Sequence, residues 1–169
     1  MKLRLAAFAL LASSTVALAA DKTIVDIAVG SADHSTLVAA VQAAGLAETL
    51  SGAGPFTVFA PTNDAFAKLP EGTVDGLLKP ESKDQLTKIL TCHVVGAQAL
   101  AADVAKMIAD GNGTASIDTL GGCKLEASLD GDKVMIKDEA GGMATVTAAD
   151  LTGSNGVIHV VDTVLMPKM

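Results

Sequence analysis

The stretch Gly54–Phe66, reading Gly-Pro-Phe-Thr-Val-Phe-Ala-Pro-Thr-Asn-Asp-Ala-Phe, places the tightest limit on how this chain can fold. Gly54 and Pro55 set a turn. Phe56 to Ala60 is a short apolar run rich in aromatic and β-branched residues, the pattern of a buried strand. Pro61 stops that strand. Thr62 or Asn63 then stands where a helix cap is needed, and Phe66 and Leu69, three apart, mark one face of the helix that follows. Beyond residue 8 every Phe of the chain lies here, at 56, 59 and 66, and there is no Trp or Tyr. These rings are the largest apolar bodies a core can use. The expectation is a strand–turn–helix unit at the centre of the fold, with Phe59 and Phe66 inside.

The chain opens with Met1-Lys2-Leu3-Arg4, runs through an apolar segment from Leu5 to Leu11, and reaches Ala17-Leu18-Ala19. A basic start, an apolar middle too short to span a bilayer and small residues before the cut form a secretory signal peptide. Residues 1–19 are expected to be removed, leaving 20–169 as one domain with no membrane anchor. Of 12 basic and 19 acidic residues, cleavage removes Lys2 and Arg4, so 10 face 19 and the formal charge moves from −7 to −9. Such a domain repels phosphate backbones, and nucleic acid is excluded as a partner. About 150 residues suffice for one proper core.

Two cysteines remain, Cys92 and Cys123. In an oxidising compartment a disulfide is the first reading, with two buried thiols as the alternative. No metal site is expected, because His93 beside Cys92 adds too few ligands and would point to the opposite face of a strand.

The first half reads as helices. Residues 23–30 fit a short helix closed by Gly30. Ser31–Ser35 forms a turn, and Leu37, Val38, Val41 and Leu46 mark the next helix face, interrupted at Gly45. Ser82-Lys83-Asp84-Gln85 has the form of a capping box, opening a helix with Leu86, Ile89 and Leu90 inward. Cys92–Val95 reads as a buried strand and Ala99–Ala109 as another helix. After Asp110-Gly111-Asn112-Gly113 the chain reads as β. Ser116–Leu120, Lys124–Leu129, Lys133–Lys137, Met143–Thr147 and Val157–Val161 are strands, with a hairpin turn at Asp130-Gly131. Helices first and strands later, without βαβ alternation, define an α+β class.

Thr57–Phe66 resembles the first signature of the fasciclin-type domain, and Asn155-Gly156-Val157-Ile158-His159-Val160-Val161-Asp162 resembles its second. Ile89–Val95 stands where that family has its Tyr-His segment. The resemblance spans roughly residues 22–167. It implies a β-sandwich or wedge with several helices packed against it, and adhesion or matrix association without catalysis. Phe59, Pro61, Thr62, Asn63, Asp64, Phe66, His93, Asn155, Gly156 and His159 are the signature positions. Three departures stand out. Cys92 replaces the usual Tyr, His34 replaces a Phe before the second helix, and Asp150-Leu151 replaces an Asp-Ile pair tied to integrin contact in animal relatives. If the signature strands are neighbours, Asn63 or Asp64 is placed to satisfy His93 or His159.

Apart from these, the ionisable groups offer little chemistry. No nucleophile elbow, phosphate loop or dinucleotide fingerprint occurs. Ser154, His159 and Asp162 compose a triad only on paper, and Asp130-Gly131-Asp132 lacks the later ligands of a calcium loop. The reading is an exported, monomeric adhesion or binding module, periplasmic or secreted, that uses no cofactor or metal. A protein or a surface glycan would be its partner, with Asp150 and Leu151 among the contact residues. The competing reading is a carrier or sensor of a small apolar ligand, held between helices and sheet. Without Trp or Tyr, a contact surface leans on Asp, Lys, Met and backbone, which favours weak or avid binding.

Overall fold

The structure is a computed structural model and describes residues 22–168. The segment read as a signal peptide, residues 1–19, lies outside them. The two signature strands form its centre. β1 (Phe56–Pro61) and β7 (Gly156–Val161) run parallel, in register over six consecutive pairs from Phe56↔Gly156 to Pro61↔Val161. Val58 faces Ile158 across this seam, and both are buried. All six residues of β7 are buried, so the strand has no water-facing side and its sequence cannot alternate. Its side chains serve two cores instead. Ile158 and Val160, with Val58 and Ala60 of β1, pack under helices. Val161 and Phe59 point the other way, into the rest of the sheet.

The remaining strands are β2 (Val94–Val95), β3 (Thr114–Asp118), β4 (Lys124–Asp130), β5 (Lys133–Lys137) and β6 (Met143–Gly153). They build one seven-stranded sheet in the order β2-β1-β7-β6-β5-β4-β3. β6 is the bend between two arms. Its first residues pair with β5 up to Met135↔Thr145, and from Val146 onward it pairs with β7. Register shifts between 146 and 148 and between 148 and 151 turn the strand, as bulges do. The arms meet again at their far ends. The Leu120 amide donates to the Val94 carbonyl at 2.8 Å, and Cys92 is bonded to Cys123 beside that contact, with Cα atoms 5.4 Å apart. The result is a wedge that nearly closes into a barrel.

Seven α-helices are described: α1 (Ile24–Val29), α2 (Ser35–Ala44), α3 (Ala47–Leu50), α4 (Asn63–Ala67), α5 (Thr73–Leu77), α6 (Lys83–Thr91) and α7 (Ala101–Asp110). Leu37, Ala40 and Val41 of α2 and Leu86, Ile89 and Leu90 of α6 recur at helical spacing and cover the Val58–Ile158 face. α7 turns Val104 and Ile108 into the wedge, against Phe59, Ile117, Leu125 and Ile136. α2 ends at Gly45 in the left-handed conformation, φ 72°, as its sequence interruption implies.

Four local expectations are revised. Ser82 precedes α6, but its side chain makes no capping bond, because Pro80–Ser82 already forms a 3-10 turn that leads into the helix. Cys92 and His93 are not strand; α6 runs to Thr91 and only Val94–Val95 joins the sheet. α7 starts at Ala101 rather than Ala99, since Ala97 and Ala99 are tied to Thr57. β6 continues through Gly153 rather than stopping at Thr147, because its outer part is exposed and lacks the apolar alternation that marks a strand.

Candidate functional site

The polar residues of both signatures gather around the β1–β7 seam, and each spends its hydrogen bonds on the fold. Thr62 caps α4 by accepting from the Ala65 amide at 3.2 Å. Asn63 serves a different helix. Its Oδ1 accepts from the Thr36 amide at 3.0 Å and its Nδ2 donates to Ala32 at 2.9 Å, so it anchors the start of α2. Asp64 is exposed in the first turn of α4, where a carboxylate favours the helix dipole. Asn155 Oδ1 accepts from the Ile24 amide at 3.0 Å, and its Nδ2 donates to the carbonyls of Leu50 and Gly52. This one side chain joins the β6–β7 turn to α1 and α3.

The two histidines are satisfied by backbone, not by Asn63 or Asp64. His93 is buried, with Nδ1 at 2.8 Å from the Ile89 carbonyl and Nε2 accepting from the Leu165 amide at 2.8 Å. Donation from Nδ1 and acceptance at Nε2 define a neutral ring. Burial pushes its pKa down to about 4, against the weaker opposing effects of the Ile89 carbonyl and Asp138. His159 Nε2 donates to the Ala99 carbonyl at 2.7 Å, and its Nδ1 receives the Asp150 amide at 3.4 Å. Neither nitrogen is left for Ser154, and Asp162 Oδ1 accepts from the Thr145 amide at 2.8 Å, so the paper triad does not assemble.

The structure also shows polar anchors that carry no sequence signal of their own. Thr57, fully buried, donates to the Ala97 carbonyl and accepts from the Ala99 amide at 2.8 Å, so the segment before α7 is stitched onto β1. Asp138, also buried, takes the amides of Gly142 and Met166. His34 is buried with Nδ1 2.9 Å from the Ser31 hydroxyl, and does not cap α2. Its Nε2 has no hydrogen-bond partner, and burial lowers its pKa while Asp33 and the Ala60 carbonyl oppose the shift.

Asp150 and Leu151 lie on the outer part of β6, beside the β1–β7 seam. Asp150 has φ 59°, a left-handed conformation that Asp tolerates better than most residues. Its Oδ1 accepts from the Ala101 amide at 2.8 Å and so closes the start of α7. Leu151 keeps 38% of its surface exposed. Between helices α1, α2 and α3 and the sheet lies an apolar crevice lined by Ile24, Val38, Val41, Leu50, Val58 and Ile158, with about 40 Å³ of free space. Pockets that hold organic ligands are roughly 300–1,000 Å³. Among the described residues, no group of three or more His, Cys, Asp or Glu could hold a metal ion, and no helix is long and apolar enough to cross a membrane.

A wedge of two sheet arms centred on a parallel seam, with its signature polar residues turned inward as anchors, defines a structural module rather than a reaction centre. Residues 32–167 match the Fasciclin domain, and the chain belongs to that family. It is 51% identical over 147 residues to Protein sll1483 of Synechocystis, covering 87% of this chain and 74% of that one. An uncharacterized Synechocystis protein, sll1735, is 40% identical over 143 residues, covering 85% and 96%. The fold is similar to that of a fasciclin domain pair from the insect cell adhesion molecule Fasciclin I, with a TM-score of 0.75 and 18% identity. That match covers 86% of this chain and 51% of the other.

Proposed function

We propose that this chain is an exported, non-catalytic adhesion or binding module that acts outside the cytoplasm, as a single domain released by cleavage after Ala19. The observation that carries the reading is the fate of the polar residues. Asn63, Asn155, His93, His159 and Thr57 are all consumed in holding the fold. Selection for such anchors preserves a rigid shape, and a rigid shape is what a binding surface needs. The kinship with a domain pair from a cell adhesion molecule supports the same conclusion. Contact is assigned to exposed loops and the outer part of β6, including Leu151 and the rim around Asp150. The crevice under α1 and α2, at about 40 Å³, is too small for the carrier reading without displacement of a helix.

The test is attachment. Deleting the gene should reduce binding of cells to a surface or to one another, and purified oxidised protein added back should restore it. Normal attachment in the deletion strain, together with hydrolysis of ester substrates that Ser154→Ala abolishes, would replace adhesion with catalysis.

A further inference from the structure

Outside the seam, the structure collects lysines on one surface of an acidic chain. Strand alternation fixes this. Leu125 and Ala127 of β4 point into the wedge, so Lys124 and Glu126 point out. Lys137 of β5 lies directly opposite Glu126, and Ser116 of β3 flanks it on the other side. Lys168 completes the rim of a groove of about 560 Å³ that these residues share with Asp138 and Glu139.

The carboxylates in this groove are largely committed. Asp138 is buried and accepts the Gly142 and Met166 amides. Glu139 Oε1 accepts from the Lys124 amide at 2.9 Å and Oε2 from the Lys168 amide at 3.3 Å. These amides hold the Glu139 carboxyl below the usual range, helped by the nearby charges of Lys88 and Lys168. Glu126 meets the Lys137 ammonium at 3.8 Å. Backbone amides therefore offset two of the acids, and the ammonium groups dominate the local field although the whole chain carries −7.

We propose that this groove binds an acidic polysaccharide bearing carboxylates, a polyuronate. The inference rests on the adhesion reading and gives it a partner class. Lysine ammoniums at Lys124, Lys137 and Lys168 take the sugar carboxylates. Glu126, Glu139 and the Ser116 hydroxyl accept from the sugar hydroxyls between them. A polyuronate spaces its charges a sugar or more apart and fits a groove of mixed sign. A polyphosphate such as nucleic acid carries denser charge and is repelled by the acidic remainder of the chain. Without aromatic rings to stack on sugars, the contact depends on charge and weakens with salt.

The experiment measures binding of the oxidised protein to polygalacturonate, dextran sulfate, single-stranded DNA and neutral dextran, by calorimetry at two salt concentrations. Polygalacturonate should bind, more weakly at high salt, and neutral dextran should not. The triple variant Lys124→Gln, Lys137→Gln, Lys168→Gln removes only exposed side chains and should keep the fold by circular dichroism. It should bind about tenfold more weakly with a flatter salt dependence. Lys79→Gln with Lys106→Gln, exposed elsewhere, should bind like the wild type. No polygalacturonate binding by the wild type, undiminished binding by the triple variant, or tighter binding of DNA or dextran sulfate would overturn the proposal. Cell attachment measured in parallel separates the two readings. Loss of the polyuronate contact with attachment intact in the wild type overturns the groove alone. Polyuronate binding without any attachment overturns adhesion alone.

Discussion

The β1–β7 seam and the β5–β6 seam are both pairings between neighbouring strands of one sheet, and they are built to opposite rules. β1 and β7 hold six pairs without a shift, and β7 is buried along its whole length. β5 and β6 hold three pairs, after which β6 leaves its neighbour, shifts register twice and exposes seven of its 11 residues. A strand covered on both faces cannot slip by one residue without exchanging its two cores, so its register is strongly fixed. A strand wet on one face tolerates bulges, a left-handed Asp150 and a change of partner. The seam therefore sets the fold, and the bulged strand is free to vary at the surface.

The largest effect should come from closing the space at the seam itself. A Cβ on Gly156 would lie 2.1 Å from the Phe56 carbonyl oxygen, a backbone atom that cannot swing away. Gly156→Val should cost more than about 4 kcal/mol and leave little folded protein by circular dichroism. A variant with a normal urea transition would mean that the strands can separate without loss of the fold, and the contrast between the two seams would fail.

The disulfide tests the far side of the wedge. Cys92 and Cys123 are 31 residues apart in sequence and join the ends of the two arms. Cys92→Ser with Cys123→Ser should lower stability by roughly 3–4 kcal/mol. That corresponds to a fall in Tm of roughly 10 °C for a domain this size. Hydrogen exchange should quicken first in β3 and β4, while β1 and β7 stay protected, because the seam does not depend on the staple. Uniform acceleration would show that the arms are one cooperative unit.

Acid tests the ring packed beside the seam. His93 titrates at about 4 in the fold, against 6.5 for a free side chain. Between those values the unfolded chain binds more protons, so stability falls as pH drops from 6.5 toward 4 and is fully present above that window. The linked loss is about 3 kcal/mol at most. Asp26 and Glu139, held below the usual carboxylate range by hydrogen bonds, lose their contribution at lower pH still. Urea midpoints at pH 7 and pH 4.5 should differ more for the wild type than for His93→Gln. Equal differences would mean that His93 titrates freely and that the ring is not sealed.

What the sequence makes legible follows the same division. Phe56–Ala60 and Val157–Val161 read as buried strands because burial on both faces leaves an unbroken apolar run. Thr62 reads as a cap because its geometry is local, and Thr62 does cap α4. The partners of Asn63, His93 and His159 could not be read, since their bonds go to backbone atoms at positions 36, 165 and 99, which no spacing rule brings near. Thr57 gives no signal at all: a lone Thr in a strand is common, and only the fold shows that its hydroxyl holds the approach to α7. The outer part of β6 was obscured because Thr147–Thr152 is exposed and carries no alternation.

The smallest effects should lie on that outer segment, where structure and contact can be separated. Asp150 closes α7 through the Ala101 amide and holds φ 59°. Asp150→Ala removes the acceptor and leaves a residue less tolerant of that conformation, at about 1–2 kcal/mol. Asp150→Asn keeps an acceptor and tolerates the same φ, so it should be nearly neutral. Asp150→Gly should fall between them, because it relieves the backbone while losing the bond. A different order would mean that the side chain does not act as a cap. Leu151→Ser, by contrast, alters an exposed side chain that closes no cavity, and should shift stability by no more than about 0.5 kcal/mol. Attachment by Leu151→Ser protein of unchanged Tm then reads contact alone. Reduced attachment makes the outer part of β6 a working surface. Unchanged attachment there, with Asp150→Ala impaired only in stability, assigns the whole segment to the fold and moves the contact elsewhere.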